Sequence, residues 1–224
     1  MKIKLSILVI LISTLTIAQN PIEKTIGEFS ELKVYDLINV ELVKSNENKV
    51  IITGKNSNDV LINNKNGKLK IKMNLEEAFD GNETKVILHY TSVDVIDVNE
   101  GANVHSKDKI KQFEIDLKAQ EGGKIDVELD VSFANIKSIT GGIVKTKGHA
   151  KNQDISLSTG GIYEGEDLKT AKTEVKIKAA GEAYVNASDL VDIKIRAGGD
   201  VFIYGNPEKV NESRVFGGRV KRMN

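Results

Sequence analysis

Apolar and polar residues alternate along most of the chain. In the segments DISLS, EVKIK and DIKIR, the pairs Ile155 and Leu157, Val175 and Ile177, and Ile193 and Ile195 are each separated by one polar residue. A period of two marks a strand with one buried face. No unit carries apolar residues at i, i+3, i+4 and i+7, so the pattern predicts strands and no helical layer. Between residues 29 and 98 the runs FSELKVYDLINVELVKS, KVIITG, GKLKIKM and TKVILHYTSVDVIDV also read as strands, divided by NENK, SNDV, NKNG and NLEEAFDGNET.

A second pattern is superimposed on the first. Units of the form Gly-x-x-apolar occur as GANV at Gly101, GGKI at Gly122, GGIV at Gly141, GGIY at Gly160, GEAY at Gly181, GGDV at Gly198 and GGRV at Gly217, with successive spacings of 21, 19, 19, 21, 17 and 19 residues. Periods of this size mark solenoids. A leucine ladder closing on Asn or Cys is missing, and a strict hexapeptide helix would hold the period at about eighteen. The expected fold is therefore all-β, a parallel β-helix with coils of about 19 residues and an irregular β-rich N-terminal part. That first part is expected to form either opening coils or a small sheet covering the first rung, because an open solenoid end exposes unpaired edges.

The glycines then have a structural reading. Each coil must turn sharply, and glycine takes positive φ without steric cost. Neighbouring coils lie only about 4.8 Å apart, so a side chain at an inward corner would meet the next rung. Gly141 and Gly160 are expected to occupy equivalent corners and to answer both demands, whereas Gly165 in YEGED lies outside the corner and is expected to tolerate alanine. Neither G-x-x-x-x-G-K-[ST] nor G-x-G-x-x-G is present, so the glycines do not read as a phosphate cradle.

Composition narrows location and partners. Lys2 and Lys4 precede an apolar run from Leu5 to Ala18, with small residues Thr16 and Ala18 at the positions a signal peptidase reads. The run is shorter than the roughly 20 residues a membrane span needs, so residues 1–18 are expected to be a cleaved signal peptide and 19–224 a single domain. Cleavage removes two lysines and no acids, leaving 30 basic against 32 acidic residues, net −2. Such near-neutrality argues against nucleic acid as a partner. With no cysteine there is no disulfide framework and no attachment point for lipid. The expected location is periplasm, cell surface or extracellular space.

The segments IGEFSELKVYDLINVELVKS from Ile26 and DIKIRAGGDVFIYGNPEKVNESRVFGGRVKR from Asp192, above all VFIYGNPEKV followed by one more Gly-centred unit, resemble the putative auto-transporter adhesin, head GIN domain family. Typical members write Ser-Gly-Ser or Ser-Gly-Gly where this chain has TGG, AAG, AGG and FGG, a departure that removes corner hydroxyls and leaves the implied fold intact. The resemblance implies a right-handed parallel β-helix exported to the envelope of Bacteroidetes-type bacteria. It carries over no catalytic residue.

Side-chain chemistry adds little. His89, His105 and His149 lie at unrelated offsets, without the spacing of a metal site. Asp80, Asn82 and Glu83 in AFDGNET lack the further ligands of a calcium loop and read as a solvated turn. Asp94, Asp97, Asp126 and Asp130 read as outward strand positions serving solubility, although β-helix enzymes that process polysaccharides use carboxylates on such a face. Tyr163 and Tyr184 share an offset from Gly160 and Gly181, and read either as a sugar-stacking platform or as part of an apolar ladder with Val104, Ile125, Val144, Val201 and Val220. Arg214, Arg219, Lys221 and Arg222 make the tail basic, which reads as a charged last rung that discourages end-to-end stacking, with contact to anionic lipid or glycan as the alternative. No catalytic, cofactor-binding or metal-binding residue is expected. The sequence thus predicts a non-catalytic envelope protein presenting a surface to an unidentified protein or glycan partner, with a polysaccharide-binding or polysaccharide-processing protein as the alternative.

Overall fold

The computed structural model describes residues 20–223, so the expected signal peptide at 1–18 lies outside the described residues. Alternation translates directly into strands. The first are β1 (Ile22–Thr25), β2 (Glu31–Val34), β3 (Asn39–Lys44) and β4 (Lys49–Gly54), followed by the hairpin β5 (Val60–Lys65) and β6 (Lys68–Met73). Then come β7 (Thr84–Tyr90), β8 (Val95–Val98) and β9 (Asn103–Ser106). The next strands are long: β10 (Ile110–Gln120), β11 (Lys124–Ile139), β12 (Ile143–Ser158), β13 (Gly161–Ile177) and β14 (Gly181–Ala197). Shorter strands β15 (Asp200–Tyr204), β16 (Lys209–Phe216) and β17 (Arg219–Arg222) close the chain.

From β10 to β14 each strand lies parallel to the next and makes up nearly a whole coil of a β-solenoid of about seven turns. β15 and β16 continue from the first and second halves of β14. Each long strand bends midway, where the in-and-out alternation breaks. In β12, Val144, Thr146 and Ala150 face inward, Lys151 and Asn152 both face outward, and inward positions resume at Gln153, Ile155 and Leu157. One inward column reads Val104, Ile125, Val144, Tyr163, Ala183, Val201 and Val220, the last partly buried and the others buried. The apolar-ladder reading of Tyr163 therefore holds. Tyr184 does not belong to it: it lies outside, in register with Glu164 and Phe202, and stacks on the Phe202 ring at 4.7 Å.

The misplacement of Tyr184 comes from the corner. Glu100 and Gly101, Glu121 and Gly122, Thr140 and Gly141, and Thr159 and Gly160 are successive pairs at positive φ, and the amide of each glycine donates to the carbonyl of the positive-φ residue in the next coil. At the next corner Ala180 holds that place with φ 42°, and Gly181 aligns with Gly161 instead of Gly160. Column partners are consequently 19, 19, 20 and 18 residues apart from Ile125 to Val201.

The two demands on the corner fall on different glycines. Gly141 and Gly160 have φ of 71° and 75°, but a Cβ there would meet nothing within 4 Å. Close approach belongs to the following glycine: a Cβ on Gly142 would run into the Ala119 carbonyl, and one on Gly161 into the Ser138 carbonyl. The tolerance expected of Gly165 is overturned, because a Cβ there would overlap the ring of Tyr163, which packs over it from two residues earlier on the same face.

At the N-terminal end the chain does not run rung by rung. β2 is paired on both sides, with β6 and β8, and β3 with β7 and β9, so the first strands in sequence form an interior coil. Antiparallel strands cover that end, with β4 on β7, β1 on β4 and β5 on β6. Opening coil and covering sheet are both present. Glu41 on β3, only 5 % exposed, clamps this region by accepting from Lys85 on β7 and Lys107 just beyond β9, each at 2.7 Å.

Two tests follow from this packing. Gly160→Ala carries only the strain of a non-glycine residue at positive φ, about 1 kcal/mol, while Gly161→Ala forces coils apart and should cost about 3 kcal/mol or more. Urea denaturation checks the ranking, and equal losses would refute the division of labour. In the second test, hydrogen bonds from Lys107 and Lys85 pull the Glu41 carboxyl from 4.5 down to about 2. Its contribution to stability is then complete above pH 4.5 and vanishes as pH falls through 2. Thermal melts from pH 6 to pH 2 should show Glu41→Gln losing less stability on acidification than the parent; parallel profiles would contradict the clamp.

Candidate functional site

In-register stacking converts every outward residue into a column running along the solenoid. In the second half of the coils one column reads Asp116, Asn135, Asp154, Glu174, Asp192 and Asn211. Two residues toward the bend, Phe133, Asn152, Lys172 and Leu190 form a second column. Between them lies a trough of about 400 Å³ spanning β11 to β14, with the inward residues Ala134, Gln153 and Thr173 beneath it. A smaller depression of about 210 Å³ continues beside it, sharing Asn135 and Asp154 and reaching Lys118, Lys137 and Lys176.

Most charges in the trough are paired. Asn135 Nδ2 donates to Asp116 at 2.9 Å and to Glu114 at 2.7 Å. Lys194 and Lys176 approach Glu174 at 2.8 and 2.9 Å, and their hydrogen bonds hold its carboxyl below the usual carboxylate range. Asn152, Asp154 and Lys172 differ: among the described residues none of these three side chains has a protein hydrogen bond or ion pair. At one end Phe133 stands beside Phe113, ring centroids 5.4 Å apart, with the two residues 39 % and 68 % exposed.

Behind the trough the core is polar. Tyr163, fully buried, shares a hydrogen bond with Thr146 and donates to Gln153 Oε1, both at 2.7 Å. Gln153 Nε2 donates to Thr173 at 2.9 Å, which in turn bonds Thr170. Burial pushes the Tyr163 phenol up, so it stays protonated and able to donate. A satisfied buried network of this kind fixes the bend from which the trough residues project.

Residues singled out from the sequence lie elsewhere. His105 stands 3.8 Å from Glu41 in the clamp, while His89 and His149 belong to β7 and β12 without a shared site. Among the described residues no cluster of His, Cys, Asp or Glu is arranged to hold a metal. Asp80 accepts from Asn56, as does Glu77, so the loop acids serve the turn. Asp97 is not a solubilising residue: it is buried and accepts from Lys33, Asn99 and Gln120. Burial alone would raise its carboxyl, but those donors outweigh it and hold it low. Asp36, whose carboxylate takes the amides of Met73 and Phe79, fixes the long loop before β7. Arg219 of the basic tail is engaged by Asp200 at 2.5 and 2.9 Å.

Comparison with known proteins agrees with this architecture. Residues 28–207 match the family model for the putative auto-transporter adhesin, head GIN domain. Among curated proteins no relative is found. Similar solved structures include a putative adhesin from Bacteroides fragilis NCTC 9343 (TM-score 0.83, 18 % identity, 91 % of this chain and 96 % of that one). A putative adhesin from Parabacteroides distasonis ATCC 8503 has a TM-score of 0.71 at 18 % identity, covering 91 % and 96 %. A putative lipid binding protein from the same strain has a TM-score of 0.67 at 14 % identity, covering 92 % and 98 %. At these identities the likeness concerns the fold.

The Tyr163 network supplies its own test. Tyr163→Phe deletes both hydroxyl bonds and strands Gln153 Oε1, which should cost about 1–3 kcal/mol. Equilibrium unfolding checks this, and a variant as stable as the parent would show that the network does not hold the bend.

Proposed function

The chain belongs to the putative auto-transporter adhesin, head GIN domain family, and from that membership we propose that it is an exported, non-catalytic protein whose solenoid presents the outer trough to an envelope or extracellular partner. The single observation that carries the reading is the group Asn152, Asp154 and Lys172, three polar side chains left without protein partners in a concave surface whose other charges are neutralised. Charges elsewhere on this face pair with a neighbour two residues along the same strand, as Glu174 does with Lys176 and Asp116 with Lys118. Export is supported by Lys2, Lys4 and the apolar run Leu5 to Ala18. Among the described residues no helix is long and apolar enough to cross a membrane.

Glu174 itself is unsuited to the general-acid role in glycan cleavage: such an acid needs its carboxyl raised at neutral pH, and hydrogen bonds from Lys194 and Lys176 hold this one low.

Fractionation of the producing bacterium should place the chain outside the cytoplasm, beginning at Gln19. Beads coated with that exported chain should bind whole bacterial or host cells, with Asn152→Ala/Lys172→Ala reducing capture about tenfold and Asp126→Ala leaving it unchanged. Capture indifferent to the trough substitutions, or reproducible depolymerisation of a glycan panel, would overturn the proposal.

A further inference from the structure

Resting on the trough as the contact surface, we propose that its ligand is a neutral, hydroxyl-rich polysaccharide laid along the solenoid axis and held at Asn152, Asp154 and Lys172. These residues offer complementary hydrogen-bond chemistry: a carboxylate that only accepts, an ammonium that only donates and an amide that does both. A hydroxyl group is donor and acceptor at once, so vicinal hydroxyls of a sugar satisfy Asp154 and Lys172 together. Asn152 and Asp154 project from one strand two residues apart, and Lys172 is in register with Asn152 on the next coil. The three therefore surround one patch of the trough instead of being scattered along it.

Charge selects neutral over ionic polymers. The trough is lined by Asp154, Glu174 and Asp192 against Lys172 and Lys194. A uronate, sulfate or phosphate chain would run along the acidic column, and a polycation would meet the lysines that already neutralise Glu174 and Asp192. Neither gains the net attraction that polyelectrolyte recognition requires.

Shape and apolar surface point the same way. Columns repeat at about 4.8 Å along the axis, and the trough crosses four coils, so it matches an extended repeating ligand better than a compact one. Phe133, backed by Phe113, gives a partly exposed aromatic face at one end, and Leu190 gives an apolar wall on the last of the four coils. Sugar rings present C–H faces to such surfaces while their hydroxyls reach the polar groups. A protein partner would instead seek an anchor pocket rich in Trp, Tyr or Arg, and none of these lines the trough.

The test uses the exported chain on an array carrying neutral oligosaccharides (gluco-, manno- and N-acetylglucosamine series) and anionic ones (polygalacturonate, heparin). Calorimetry then follows the best binder at increasing chain length. Neutral oligosaccharides should bind, with affinity rising over the first few sugars, reaching a plateau, and changing less than twofold between low and high salt. Asp154→Ala and Phe133→Ala should each weaken binding about tenfold with unchanged melting temperature, while Asp126→Ala should match the parent. Phe133→Tyr should retain most of the affinity, which guards against loss through misfolding. Binding confined to anionic chains, or abolished by salt, would overturn the neutral-glycan assignment. Cell capture that depends on the trough without any glycan bound would overturn the ligand class and leave the adhesive reading standing. Failure of both capture and glycan binding would sink both.

Discussion

Everything in this molecule depends on the distance between coils. Parallel in-register hydrogen bonding holds successive rungs about 4.8 Å apart, and the chain must turn a tight corner within that spacing. The corner meets the constraint by placing two consecutive residues at positive φ and donating the glycine amide to the next rung, as Gly141 does to Thr159. A second glycine then passes beneath the carbonyls of the preceding coil, where a single methyl group would not fit. Corner and stack sustain each other: the hydrogen bonds fix the spacing, and the spacing dictates the glycines.

The same spacing organises the surface. Because column partners recur every coil, an acid on one rung faces its counterpart on the next, and like charges stacked so closely repel. The protein relieves this by placing Asn135 between Asp116 and Asp154, and by setting a lysine-rich column alongside the consecutive acids. Pairing consumes most of the charge on this face. Within the trough it leaves Asn152, Asp154 and Lys172, which lie where the strands bend over the Gln153 and Thr173 network, and so in a concavity instead of on a ridge.

Strand periodicity, glycine recurrence and the placement of Tyr163 were legible from the sequence because they are local signals repeated many times. The order of coils at the N-terminal end was not, since alternation says which face of β2 and β3 is buried but nothing about which strands flank them. Ala180 standing in for a corner glycine shifted the apparent alignment by one residue and moved Tyr184 to the wrong side of the wall. Gly165 was misjudged because its constraint comes from a neighbouring side chain, Tyr163, and not from the corner. Asp97 and Asp36 look in sequence like any outward acid, and only their donors reveal them as buried structural groups. The trough was invisible for a related reason: Asn152, Asp154 and Lys172 are ordinary solubilising residues until two adjacent coils bring them together.

Cysteine cross-linking tests that register directly, in a chain with no cysteine of its own. Residues in register on adjacent coils stand at a separation that suits a disulfide, whereas a displacement of two residues exceeds the roughly 7 Å limit. Oxidation of the Asn152→Cys/Lys172→Cys variant should give rapid and complete intramolecular cross-linking, and Asn152→Cys/Glu174→Cys should remain reduced. Equal cross-linking of the two, or a faster reaction of the displaced pair, would contradict the stacking from which the trough is built.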